Sequence, residues 1–313
     1  MRKLISLVLF LATVVVSGSF AAYPSKTVKL IVPSKAGGST DTTARLFAQT
    51  AKKYWKNTDF IIIDKPGSGG LMGFEAESRS RPDGYTFGLM FTPQIVAHIV
   101  AKRASYTLKS FKIIGNIAED PEIVVVPAQS SVKNLDQLVK LAKSKKITAA
   151  VNGIGSDDFL AAKNFESATG VKFNLMPTKG STEEKAAILG NHIEVAFMNL
   201  SQMLAQHKAG KARIIAIMSK KRSDVAMDIK TSVEQGYNVL MTATRGMLIS
   251  SKVKKDIATK IEDLYKKVVN DKEFQAKCKK AYIFLNPMNS SEYTAYLEQL
   301  QKDTQKVYDV SPW

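Results

Sequence analysis

Glycine, serine and aspartate recur together at two places where an apolar run ends. Val28 to Arg45 reads VKLIVPSKAGGSTDTTAR, and Ile147 to Ala162 reads ITAAVNGIGSDDFLAA. Each stretch starts as a strand, passes through a glycine-bearing loop and opens a helix. Such a junction can hold an anion. Glycine lets backbone N–H groups approach a ligand, and a helix start adds roughly half a positive charge. One copy alone reads more readily as an ordinary capped helix. Two copies on distant parts of the chain suggest opposed jaws.

In the first loop, Gly37 and Gly38 permit close backbone approach, Ser39 or Thr40 is expected to cap the helix, and Asp41 sits in its first turn. Ser34 and Lys35 precede the glycines, and Lys35 is either a carboxylate contact or a solvated lysine. In the second loop Gly153 and Gly155 flank Ile154, Ser156 is the expected cap, and Asp157 and Asp158 follow. Lys179 in PTKGSTEE carries the same two readings as Lys35. Thr92, just after the strand YTFGLM, joins the candidate ligand contacts. Asn199 and Ser201 either donate to a ligand or cap the next helix, and Arg245 offers forked carboxylate recognition or a salt bridge.

Catalytic patterns are sparse. KPGSGG resembles a phosphate cradle without the GK[ST] ending of a P-loop. No G-x-S-x-G elbow is present, and His98, His192 and His207 show no metal spacing. Cys278, the single cysteine, sits in EFQAKCKKAY as a structural helix residue with no local His partner. No cofactor and no metal are expected.

Formal net charge is +17, and removing Arg2 and Lys3 leaves +15, which favours anionic partners. The basic residues lie on apparent helix faces such as Lys140 to Lys146, without the aromatic interleaving of single-strand binders, so no nucleic-acid partner is expected. Arg2 and Lys3 precede an apolar run from Leu4 to Val16 and then SGSFAA. That is the layout of a cleaved export leader over residues 1–21, with an uncleaved anchor as the plainer alternative. No later segment is apolar for 18 residues, so a soluble exported chain is expected.

From Thr27 strands and helices alternate, which points to α/β architecture. Expected strands are Lys29 to Val32, Phe60 to Asp64, YTFGLM, Ile123 to Pro127, Ile147 to Val151, Lys172 to Met176, Ile193 to Phe197 and Ala212 to Met218. Helices are expected between them, and from Lys252 onward the chain reads as mostly helical. The reading is two doubly wound lobes with parallel sheets: residues 22–125 and 245–313 form lobe one, and 126–244 form lobe two. Ligands in such sheets bind beyond the carboxyl ends of the strands, where both loops fall.

Over essentially the whole mature chain, YPSKTVKLIVPSKAGGSTDTTAR, KPGSGGLMGFE, RPDGYTFGLM, GNHIEVAFMNLSQ, HKAGKARIIAI and SVEQGYNVL resemble, in order, segments of the periplasmic solute-binding receptors of tripartite tricarboxylate transporters. The resemblance implies a hinge-closing receptor of the Venus-flytrap type that captures small organic carboxylates and delivers them to a membrane permease. It also implies carboxylate pincers at Gly37, Gly38 and Asp41 and at Gly153, Gly155 and Ser156. Ser34 and Lys35, with Asp157-Asp158, Glu183 and Arg245-Gly246, look closest to the tricarboxylate-binding branch. Two positions depart from the family pattern: Phe159 stands where a histidine is usual, and Thr244 where a tryptophan often stands.

The expected protein is therefore a monomeric periplasmic receptor for a di- or tricarboxylate-like anion. The alternatives are an exported enzyme using Asp41 or Asp158 as a base, and an orphan sensor serving a signalling partner. Intact-mass measurement of the exported protein should give a chain beginning at Ala22. A mass that retains Met1 to Ala21 would establish the anchor instead.

Overall fold

The computed structural model describes residues 23–178 and 180–313. The leader and Lys179 lie outside the described residues. In the first lobe β1 (Val28–Val32), β2 (Phe60–Asp64) and β3 (Thr86–Phe91) run parallel, with β1 in the middle. Two helices join them: α1 (Ser39–Tyr54) follows β1 and α2 (Leu71–Ser78) follows β2. The chain then forms α3 (Gln94–Val100) and enters β4 (Phe111–Pro127), a single strand of 17 residues.

β4 belongs to both lobes. Residues Phe111 to Pro121 pair antiparallel with β9 (Thr242–Ser250), which in turn pairs antiparallel with β3. From Glu122 the same strand pairs with β7 (Val195–Asn199) and β8 (Ala212–Ile217). The second lobe also contains α4 (Leu135–Ser144), β5 (Thr148–Val151), α5 (Asp157–Thr169), β6 (Asn174–Pro177), α6 (Ser181–Leu189) and α7 (Leu200–Lys208). Here β5 lies between β6 and β7, parallel to both. Both sheets are thus mixed, where purely parallel sheets were expected. Each gains its antiparallel members from β4 and the strands that flank it. At the C-terminal end α8 (Lys255–Val269), α9 (Lys272–Lys280), β10 (Phe284–Met288) and α10 (Ser290–Val310) complete the chain, with β10 pairing along β4.

Each sheet is covered on two faces. In lobe one, Ala44, Phe47, Ala48 and Ala51 of α1 pack with Ile261, Leu264 and Val268 of α8 over Leu30 and Phe87. The opposite face carries Phe74, Ile95, Tyr293 and Leu297 from α2, α3 and α10. In lobe two, Phe159, Leu160 and Phe165 of α5 cover one face, and Ile188, Met203 and Leu204 of α6 and α7 cover the other. Cys278 lies fully buried in the first lobe's core, and burial pushes its thiol up to about 12, so it is inert at neutral pH. No helix among the described residues is long and apolar enough to cross a membrane.

Two chain crossings and one helix join the lobes among the described residues. β4 changes sheets between Pro121 and Glu122, and the chain returns between Met241 and Thr242. The helix is α10. Tyr293 and Leu297 of this helix sit in the first lobe's core, whereas Val307 and Trp313 pack against the second lobe.

β9 depends on a residue without a side chain. A Cβ on Gly246 would sit 2.2 Å from Tyr293 Cε1 and 2.8 Å from the Gly115 carbonyl oxygen, which is backbone and cannot rotate away. Gly246→Ala should therefore lower unfolding free energy by about 3 kcal/mol, at the upper end for overpacking. Urea denaturation checks this, and wild-type stability in the variant would show that Tyr293 yields freely.

Candidate functional site

The first loop is held from behind. Gly37 has φ of +80° and donates its N–H to Asp41 Oδ2 at 2.7 Å. Arg45, one turn later, places Nε 2.9 Å from the same carboxylate. Burial raises the pKa of Asp41, but the Arg45 hydrogen bond and the Gly37 N–H outweigh it and hold the group below the usual carboxylate range. Asp41 is thus an ionised brace turned toward the loop backbone. The helix cap is Gly38, not Ser39 or Thr40 as expected. The turn reaches helical geometry at Ser39, so the cap position falls one residue early on a residue with no acceptor side chain. The N–H groups of the first turn are left for solvent or a ligand.

The second loop is built with a different arrangement. Gly153 and Gly155 both have positive φ, at +76° and +81°. Ser156 caps α5 as expected: Oγ accepts from the Phe159 N–H at 3.0 Å and donates to the Gly153 carbonyl at 2.8 Å. Asp158 accepts from the Asn152 N–H at 2.9 Å and so braces the loop as Asp41 braces the first.

Behind this loop lies a buried acidic group: Glu122, Asp157, Asp158 and Glu184. Burial raises all four pKa values. The charge of Asp158 adds to the rise at Glu122 and Glu184, and that of Asp157 adds to the rise at Asp158. For Asp157 the burial effect is opposed by hydrogen bonds from Asn199 and Gln94. As carboxylates, Glu184 and Glu122 Oε1 would face no donor. As carboxylic acids they hydrogen-bond with Asp158. Retained protons therefore satisfy this group.

The two loops face one cleft of about 1540 Å³. Ser34, Lys35, Gly37, Gly38, Gly153, Gly155, Ser156 and Ser201 border it, so eight of the sequence-derived candidates converge. Four others lie behind its walls. Asp41 is the brace described above. Thr92 is fully buried, with Oγ1 2.7 Å from Thr244 Oγ1. Asn199 caps α7 in a reciprocal pair with Gln202, and its Nδ2 donates to Asp157 at 2.7 Å. Arg245 takes its salt-bridge role, with Nη2 3.2 Å from Asp120 Oδ2, and Asp120 also accepts from the Ser201 N–H at 3.0 Å.

Other residues join the cleft unforeseen. Gln94 enters from α3 and donates across the lobes to Asp157 Oδ1 at 3.2 Å. His98 contacts the Gly69 carbonyl at 3.0 Å, and burial lowers its pKa, so it is neutral. Phe91, Arg103, Lys185 and Trp313 also border the space. The KPGSGG motif did signal one wall. Gly70 caps α2 with φ of +91° and no side-chain acceptor, and Gly180 likewise caps α6 without one. Helix starts from α1, α2, α5 and α6 therefore surround a single space.

Two lobes joined by two chain crossings, with a cleft between them ringed by helix starts, define a Venus-flytrap solute-binding protein. Residues 43–308 match the tripartite tricarboxylate transporter family receptor, TctC, and the chain belongs to that family. This is a family of solute-binding receptors and not of enzymes. The chain is 28% identical to protein BugT of Bordetella pertussis over 76% of its own length and 75% of BugT. A TctC solute-binding protein from Polaromonas superposes with a TM-score of 0.78 at 25% identity, covering 92% of this chain and 99% of that one. The MatC protein of Rhodopseudomonas palustris, solved with bound malate, superposes at 0.80 with 18% identity, covering 91% and 99%.

The loops can be tested separately from the fold. Gly38 has φ of −75°, and a Cβ there meets nothing closer than the Lys35 carbonyl at 3.3 Å. Gly38→Glu should abolish ligand binding while stability stays within about 1 kcal/mol of wild type. Gly155→Glu should lose both, because its φ is positive and its Cβ would lie 3.0 Å from Trp313 Nε1. Calorimetric affinity unchanged in Gly38→Glu would show that the first loop is only a helix start.

Proposed function

We propose that this receptor captures a di- or tricarboxylate-like organic anion between its lobes and delivers it to a membrane permease. The supporting observation is that helix starts from both lobes converge on one cleft, three of them capped by glycine with no acceptor of their own. Backbone N–H groups and helix dipoles directed at a common space suit a ligand carrying negative charge on more than one side. The charged side chains at the cleft are mostly cationic: Lys35, Arg103 and Lys185 against Glu183. Of the candidate contacts, we assign ligand binding to Ser34, Lys35, Gly37, Gly38, Gly153, Gly155 and Ser156. Malate bound to a protein of the same fold is consistent with a small carboxylic acid as cargo.

Neither Asp41 nor Asp158, the bases considered for an enzyme, borders the cleft, and each is occupied in bracing its loop. We take the site of action to be the periplasm, reached through the leader over residues 1–21, and the receptor to act as a monomer. We place the hinge at the β4 sheet change after Pro121 and at the entry to β9 at Thr242, a few residues before the expected divisions at 125/126 and 244/245.

A thermal-shift screen with citrate, isocitrate, tricarballylate, succinate, malate and glutamate tests the reading. At a hundredfold excess over Kd a true ligand stabilises by about 2.7 kcal/mol. At least one di- or tricarboxylate should raise Tm and remain chemically unchanged on incubation. The absence of any shift would defeat the carboxylate assignment, and turnover of a binding acid would establish the enzyme.

A further inference from the structure

We propose that Trp313 is a ligand-contacting residue, its indole N–H donating to the anionic group held at the second loop; this rests on the carboxylate reading above. Trp313 borders the cleft together with Asn152, Gly153, Gly155 and Ser156. Its Nε1 lies 3.0 Å from the point where a Cβ of residue 155 would be. Gly155 thus supplies a positive φ and also leaves space for the indole edge.

Two rings hold the indole in place. Phe159 packs edge-on at 5.5 Å between centroids, and Tyr308 packs edge-on at 4.8 Å. Phe159 comes from the first turn of α5 and Tyr308 from the last turns of α10, so the indole is held between these two helices. Its N–H has no acceptor among the described residues. An indole N–H donates only, and a half-buried one ordinarily finds an acceptor. The acceptor that suits this position is a ligand carboxylate oxygen, because the surrounding backbone groups at the start of α5 are themselves donors. A cation or a donor-only ligand has no use for it.

Trp55, the other tryptophan, packs against Phe60 and Phe87 in the first lobe's core, away from the cleft. Tryptophan fluorescence therefore reports on Trp313. The experiment adds saturating amounts of the acid that most stabilises the wild type in the screen above and follows emission and calorimetric Kd. Wild-type emission should change on binding. Trp313→Phe keeps the ring packing and loses the donor; it should bind about tenfold more weakly, the scale of one hydrogen bond to a charged group, and show no emission change. Wild-type affinity in Trp313→Phe, or wild-type emission indifferent to saturating acid, overturns the contact while leaving the receptor assignment standing. The emission measurement needs no variant, so the proposal stays testable if Trp313→Phe folds poorly. If no acid stabilises the wild type, the carboxylate reading and this contact fall together.

Discussion

The first amides of a helix have no partner within it, and this constraint governs the cleft. At α1, α2 and α6 the capping residue is glycine, which offers no side-chain acceptor. These helix starts are directed at a shared solvent space, so whatever enters the cleft takes the place of the missing caps. Capture by backbone amides suits a carrier. Each N–H bond to a carboxylate is charge-assisted, yet water can replace it on release. A site built from paired arginines would bind by more rigid forks.

Amides can serve a ligand only if the loops keep their shape when it is absent. Two aspartates supply that rigidity by contrasting routes. Asp41 is ionised because Arg45 and the Gly37 N–H favour the charged form more than burial opposes it. Asp158 braces Asn152 from within a buried acidic group and is driven toward its protonated form. A second full negative charge behind the cleft would weaken its attraction for an anion. The raised pKa values of the acids behind the second loop act against that repulsion.

The two loops were legible because their chemistry is local: glycine, cap and acid occupy consecutive positions, and the backbone does the rest. The strand Phe60–Asp64 was likewise bounded as read, since pattern and length agreed there. The first two-thirds of β4 escaped notice. FKIIGNIAEDPE carries Gly115, Asn116 and Pro121 and has the composition of a loop, but β9 and β10 pair with it on either side. β9 was not among the expected strands because TATRGM mixes polar residues into an apolar run, and its Arg245 finds Asp120 only in three dimensions. Gln94, Phe91 and Trp313 were invisible as cleft residues for the same reason. Each is an unremarkable residue locally and becomes part of the site through packing alone. Thr92, Asn199 and Arg245 lie behind the cleft walls instead of lining the space, because sequence could not show which way they face.

Distance from the hinge separates the polar contacts into two kinds. Asp120 lies one residue from Pro121, where β4 changes sheets, and it joins Arg245 of the first lobe to Ser201 of the second. Rotation of one lobe on the other moves atoms in proportion to their distance from the axis, so this node can persist through opening. Persistence matters here, because a buried carboxylate stripped of its partners is costly. Gln94 to Asp157 lies out at the cleft and joins surfaces that separate when it opens. Gln94 is uncharged, and Asp157 keeps the Asn199 amide as a donor when Gln94 leaves. The charged contacts are thus kept where the lobes pivot, and the neutral ones where they part. That division lets the same chain hold a fixed hinge and still release its cargo.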